Sequence, residues 1–345
     1  MTVSVPDGAR RVARLAVFAA AAGVAAPAQA TDVKFMMDWA WQGPQAFALM
    51  ARNEGCFADA GINLTLDRGF GSGRVPVELA SGTYQMGLAD LNPTIKFRAE
   101  NPDSDIITTA ILFAGSPLVA VVRAGSGIDA PTDLAGKTLA APDFDAGRQL
   151  FPVFAGAVGL DVGSVNWMSV DPALREPMLV RGEADGVTGF VTSSVPSLIA
   201  LGMSEDDLTV FYYKDFGAEL VSTSVLTTRA FAEANPEAVA AVTACMIRGV
   251  QLAEADPEGA IEALVAHEPL TDPEVELVRW QMTIDDMLRT EQAVAEGISS
   301  IDMEMLQRSI MSVEDAYGLP HALQAGDLFD TSFLPPAEAR MFLTD

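Results

Sequence analysis

Histidine and cysteine are scarce in this 345-residue sequence: His267, His321, Cys56 and Cys245 are the full complement. Each histidine lies late in the chain among acidic and apolar residues, with no partner at metal-ligand spacing, so a zinc site or a Ser-His-Asp triad is hard to assemble. There is no G-x-S-x-G elbow and no P-loop, and Gly71-Ser72-Gly73 does not continue into a dinucleotide fingerprint. What remains for chemistry is a set of carboxylates and aromatics in short polar motifs. These are Asp38-Trp39 with Trp41, Asp90 with Asn92, Asp143-Phe144-Asp145 with Arg148, Thr188-Gly189-Phe190, and Glu219. Such residues suit binding, because carboxylates accept from amino groups and rings offer flat faces. Turnover would need pKa-tuned groups converging on one atom, so neither catalysis nor a cofactor or metal is expected.

Most of these motifs fall at the ends of expected strands. Short β-branched or apolar runs at 33–38, 62–66, 85–89, 106–113, 117–123, 137–141, 165–169, 184–188, 208–212 and 221–228 alternate with helical patterns at 44–53, 75–80, 93–100, 147–158, 174–181 and 192–201. That alternation is the mark of an α/β fold. Beyond Thr228 only helices are expected, at 231–234, 236–255, 257–267, 273–287 and 303–317, several opened by proline or an acid. The segments 117–123 and 221–228 bracket a self-contained set of strands and helices and read as crossovers. One lobe would then combine residues 31–116 and 228–345, with residues 117–227 forming the other, and two connections across one interface make a hinge.

Open α/β sheets bind ligands at the carboxyl ends of their strands, where these loops lie. Glycines in Gly71-Ser72-Gly73 let backbone approach a ligand, their N–H groups favour an electronegative atom, and Ser72 can cap the next helix. Asp145 is a plausible N-cap and Phe144 a stacking face; Phe190 fits cleft or core equally. An exposed indole at Trp39 or Trp41 would offer a flat surface for stacking. Asp38 and Asp90 face the same presumed cleft, and either can instead cap a helix. With Asp38, Asp90, Asp143, Asp145 and Glu219 set against Arg74 and Arg148, an aromatic or heterocyclic amine suits the loops better than an inorganic anion, and a zwitterion such as taurine remains open.

Residues 1–30 differ in composition from the rest. Arg10, Arg11 and Arg14 precede an apolar run at 15–27, and Ala28-Gln29-Ala30 follows, which is the pattern of a cleaved secretory signal peptide. No later segment reads as long and apolar enough to anchor the protein. The leader holds three arginines and one aspartate, so its removal takes the formal charge from −26 to −28 over 315 residues. So acidic a surface repels phosphate backbones and anionic lipid, which argues against nucleic acid and membrane as partners. Cys56 and Cys245 could pair in an oxidising compartment, but buried free thiols are the expectation.

Asp38-Trp39, Gly43-Pro44-Gln45-Ala46, Glu54-Gly55-Cys56-Phe57, Gly71-Ser72-Gly73 and Gly87-Leu88-Ala89-Asp90, followed by Asp133-Leu134-Ala135-Gly136-Lys137, Asp143-Phe144-Asp145-Ala146-Gly147-Arg148, Asp171-Pro172-Ala173-Leu174-Arg175-Glu176 and Asp185-Gly186-Val187-Thr188-Gly189-Phe190, form an ordered series. The series resembles the thiamine-pyrimidine and sulfonate family of ABC-importer solute-binding proteins. The resemblance implies a type II periplasmic binding protein fold, two lobes joined by two crossover strands around a cleft. It further implies a monomer in the periplasm that hands a small organic ligand to a permease and its ATPase. Ala40-Trp41-Gln42 departs from the proline and asparagine usual after Asp38-Trp39 in the thiamine-precursor subgroup, which leaves a taurine or alkanesulfonate ligand open. A pyrimidine-synthesis enzyme and a sensor subunit are the other readings. The enzymes of this resemblance use a histidine and a cysteine-rich motif that the cleft loops here lack.

Overall fold

The structure, a computed structural model, describes residues 1–4 and 30–343; residues 5–29 of the expected leader lie outside them. Among the described residues, ten strands form two five-stranded sheets. The first contains β1 (Thr31–Met36), β2 (Ile62–Asp67), β3 (Met86–Asp90), β4 (Ile106–Phe113) and β10 (Thr223–Thr228), in the order β2-β1-β3-β10-β4. The second contains β5 (Leu118–Arg123), β6 (Thr138–Ala141), β7 (Asn166–Ser169), β8 (Gly186–Phe190) and β9 (Leu208–Tyr212), in the order β7-β6-β8-β5-β9. The two orders correspond. In each sheet three strands run parallel, and the fourth position is taken by a strand antiparallel to both neighbours, β10 in one and β5 in the other. The chain passes between sheets from Phe113 to Leu118 and returns between Tyr212 and Thr223.

Burial explains why these segments are strands. All residues of β3 and β4 are buried, as continuous apolar runs covered on both faces should be. β4 ends its sheet's strand order, and its outer side is covered by the chain near Phe329, where Asp330 N–H donates to the Thr108 carbonyl. The edge strand β7 has no fully buried residue: Asn166 and Ser169 are exposed and Trp167 and Met168 are partly buried. The expected helices form, and Asp256 and Asp272 cap proline-led helices by accepting from Gly259 and from Glu274 and Val275 N–H groups.

Two expectations are corrected. Helix Pro236–Ala255 is in fact long and apolar enough to cross a membrane, but 67% of its most apolar stretch is buried inside the protein, where it packs on helix Ala46–Asn53. Its apolarity therefore serves the core. The same packing brings Cys56 and Cys245 together as a disulfide with Cα atoms 5.7 Å apart, so they are not free thiols. Their separation of 189 residues hid a contact that only the helix pairing creates.

Candidate functional site

On the first-sheet side the site begins where β1 ends. The chain from Asp38 is zipped to the loop after β2: Gly69 N–H donates to the Trp39 carbonyl at 2.7 Å and Gly71 N–H to the Asp38 carbonyl at 2.9 Å. This holds the Asp38 side chain, only 3% exposed, against Gln45, whose Nε2 donates to Asp38 Oδ1 at 3.0 Å. Burial strips water from the carboxyl and pushes its pKa up to about 6, with the Gln45 bond and the Asp38 and Trp39 amides offsetting only part of the effect. The other end of the Gln45 amide, Oε1, is buried without a partner among the described residues. An unmet buried acceptor costs about 1–3 kcal/mol.

The second-sheet side is built around Arg175, a fully buried arginine at the start of helix Arg175–Val180. Its Nη1 donates to Asp145 Oδ2 at 2.9 Å, its Nε to Glu176 Oε1 at 2.7 Å and its Nη2 to Ser193 Oγ at 3.2 Å. Burial alone would lower the guanidinium pKa, but Glu176 and Asp145 outweigh it and raise it. Burial in turn raises Asp145 despite Arg175. A Cβ on residue 189 would overlap the guanidinium, so glycine there is what admits Arg175 to the end of β8. Asp145 also caps helix Ala146–Val158 by accepting Arg148 N–H at 3.0 Å, and Thr188 donates to it at 3.4 Å.

The two sides enclose a chamber of about 30 Å³ between the sheets. Asp38, Trp39, Gln42, Gln45 and Ser72 face Asp145, Arg175, Phe190, Thr192 and Ser193 across it. The Arg175 guanidinium lies 4.8 Å from the Trp39 ring centroid, joining the walls by a cation–π contact. Outside these residues a vestibule of about 400 Å³ shares Trp39, Gln42, Arg175 and Ser193 and adds Arg68, Glu176, Ser197 and Arg279. Charge in the inner wall is weighted toward acid: Arg175 is already matched by Asp145 and Glu176, which leaves Asp38 as the carboxyl without an ionic partner among the described residues.

Of the motif residues, Asp38, Trp39, Gly71, Ser72, Asp145 and Phe190 line the chamber, with Thr188 and Gly189 behind its wall. In the glycine loop, two of the N–H groups are taken by backbone carbonyls. Gly71 N–H is bonded to Asp38, Gly73 N–H donates to the Phe144 carbonyl at 3.0 Å, and Ser72 Oγ accepts Asp90 N–H at 3.0 Å rather than capping the next helix. Gly71 has φ +126°, and a Cβ there would overlap the Phe144 carbonyl, so this loop is shaped for close contact with the opposite sheet. The Phe144 ring faces Arg74 at 5.4 Å.

Trp41 lies in the first-sheet core with its ring 4.8 Å from His267. Asp90 takes the capping role, accepting from Asn92 N–H, Asn92 Nδ2 and Ser222 Oγ, while Asn92 also bonds Val221 and Ser309. Asp143 and Arg148 pair at 2.7 Å with Ser169 and Trp167 on a separate surface, and Glu219 is exposed. None of these lines the chamber.

Gln45, Gln42, Arg175 and the Thr192-Ser193 pair complete the walls and were not among the sequence candidates. Gln45 and Arg175 both stand inside quoted motifs, Gly43-Pro44-Gln45-Ala46 and Asp171 to Glu176. Glu176 is adjacent to Arg175, but the partner that ties it to the wall, Asp145, is 30 residues away and leaves no local mark of its burial.

Comparison with known proteins agrees with this architecture. Among solved structures, a protein from Bordetella bronchiseptica RB50 superimposes with a TM-score of 0.73 at 15% identity, covering 88% of this chain and 96% of its own. The alkanesulfonate-binding protein SsuA from Xanthomonas axonopodis pv. citri, bound to MOPS, gives 0.66 at 16% identity over 88% of this chain and all of its own. A Candida albicans gene product with the generic periplasmic binding protein structural fold gives 0.66 at 12% identity over 87% and 96%. These likenesses establish the periplasmic binding protein fold. No curated protein matches the chain in sequence. A family model described as NMT1/THI5 like matches residues 44–260, more than half of the chain, and on that ground the protein belongs to the NMT1/THI5-like family.

Proposed function

We propose that this protein is a periplasmic solute-binding protein that captures a small aromatic or heterocyclic amine of the thiamine-pyrimidine kind, leaves it chemically unchanged, and delivers it to the permease and ATPase of an ABC importer. The observation that carries the reading is the Asp38–Gln45 pair. A buried carboxyl with no ionic partner and a buried amide oxygen with no donor among the described residues stand beside the Trp39 ring at the wall of an inter-sheet chamber. A ring bearing an amino group supplies what this wall lacks, an N–H donor for the acceptors and a face for the indole. Trp39, Ser72, Asp145 and Phe190 are the remaining proposed contacts, and Thr192 and Ser193 join them. Both sheets supply walls to the chamber, so ligand entry would have the lobes part, with 31–116 plus 228–345 moving against 117–227.

Export to an oxidising compartment is supported by the leader-like composition of residues 1–30 and by the Cys56–Cys245 disulfide. One observation favours a sulfonate or taurine instead: the buried Arg175 guanidinium in the wall, in a fold shared with an alkanesulfonate-binding protein. Its pairing with two carboxylates weighs against that reading. Calorimetric titration with 4-amino-5-hydroxymethyl-2-methylpyrimidine and with taurine separates the two. Binding of the aminopyrimidine with no heat from taurine is the expected result; the reverse overturns the amine reading.

A further inference from the structure

Helix Val191–Ala200, which carries Thr192 and Ser193 to the chamber, contains Pro196. A proline has no N–H, so the Thr192 carbonyl four residues earlier loses its helical donor. The missing partner comes from the other sheet's side of the molecule. Arg279, on helix Pro273–Thr283 and 4% exposed, directs Nη1 to the Thr192 carbonyl at 3.0 Å and to the Ser193 carbonyl at 2.5 Å, and Nη2 to Ser197 Oγ at 2.8 Å. Helix Pro273–Thr283 belongs to the first-sheet core through Trp280, whereas Val191 and Leu198 pack with Val119, Val121 and Val187 of the second sheet. The guanidinium therefore spans the interface.

Its third nitrogen continues the chain of contacts into the opposite chamber wall. Arg279 Nε donates to Glu276 Oε1 at 3.1 Å, and Glu276 Oε2 accepts Gly43 N–H at 2.6 Å, at the turn that carries Gln42, Pro44 and Gln45. One planar fork thus fixes the Gln45 turn on one side and the Thr192–Ser193 turn on the other, a geometry that a lysine ammonium cannot reproduce. On the far side of the chamber the walls meet through Gly73 N–H and the Phe144 carbonyl.

We propose that Arg279 is a closing latch: a positioning residue that joins the two lobes through the carbonyl freed by Pro196, and so sets the balance between open and closed forms whichever solute is bound. Opening would part the guanidinium from all three second-lobe acceptors at once, while Glu276 retains it in the first lobe, ready to re-engage.

The test uses the full mature chain. Small-angle scattering of ligand-free wild type, Arg279→Gln and Ser197→Ala is expected to show a larger radius of gyration in both variants, more so in Arg279→Gln, with unchanged circular dichroism. Arg279→Lys should restore only part of the closure. Stopped-flow release of the aminopyrimidine probe should be about tenfold faster in Arg279→Gln with its association rate unchanged, since the latch forms after encounter. If Arg279→Gln fails to fold, Ser197→Ala carries the test, because it removes one acceptor and leaves the buried Glu276–Arg279 pair in place. Scattering of the folded variants that superimposes on wild type overturns the latch. Failure of the probe to bind would count against the proposed ligand class and not against the latch, which the ligand-free scattering decides.

Discussion

Replacing Asp38 with asparagine should make the ligand-free protein more stable and the liganded one weaker, and the two effects have one cause. Burial raises the Asp38 carboxyl from 3.8 to about 6. A folded-state pKa above the unfolded value means that the folded chain takes up the proton first as pH falls. This group therefore opposes folding above about pH 6, and that penalty is relieved between about pH 6 and 4. A shift of about two units corresponds to as much as about 3 kcal/mol at neutral pH, which is the upper bound for the stabilisation expected from Asp38→Asn. Binding runs the other way, because an amino donor prefers the ionised carboxylate. Affinity of wild type for the aminopyrimidine probe should plateau above pH 7 and fall about tenfold by about pH 5, where roughly one carboxyl in ten is ionised. At neutral pH Asp38→Asn should bind about 10- to 100-fold more weakly, the worth of one charge-assisted bond, and should lose the pH dependence. Calorimetry on both proteins across this range gives a ratio of Kd values at each pH, in which ionisation of the probe itself largely cancels. A ratio that stays flat, or a wild-type affinity that improves as Asp38 is protonated, would refute the argument that this carboxylate receives the amine.

Two further outcomes follow from the same geometry. Trp39→Ala should weaken probe binding by about 1–3 kcal/mol while leaving the ligand-free melting temperature within a few degrees of wild type, because Trp39 lines the chamber and is partly buried without belonging to a core cluster; a large fall in melting temperature would place it among the core residues instead. Replacing Cys56 and Cys245 together with serine should lower stability by about 2–5 kcal/mol in denaturant titration and leave the probe Kd unchanged, since the disulfide ties helix Pro236–Ala255 to the first-lobe surface away from the chamber; an altered Kd would contradict that separation.

The layering was legible because it is written in local patterns. β3 and β4 are buried on both faces and so read as unbroken apolar runs, and the proline-led helices announce their starts. The site was legible only where chemistry and strand end coincide, as at Asp38-Trp39 and Asp145. Trp41, two residues from Trp39, carries the same side chain but turns into the core against His267, and composition gives no means to tell them apart. Arg175, Gln45 and the disulfide escaped for another reason. Each acquires its role from a partner in a different element, across 30 residues for Arg175 with Asp145 and across 189 for the cysteines. In the glycine loop the Gly71 and Gly73 N–H groups find backbone acceptors in Asp38 and Phe144, a pairing decided by how the two sheets meet and not visible in the local sequence.

Whether a solute is held and released unchanged is tested most directly by native mass spectrometry of the protein isolated from its source cells, followed by denaturation and identification of what is released. One small molecule per chain is expected, an aromatic or heterocyclic amine, recovered intact and unaltered after incubation with fresh protein. A sulfonate or inorganic anion in that place, or conversion of the released molecule to a new product at catalytic protein concentration, would contradict it.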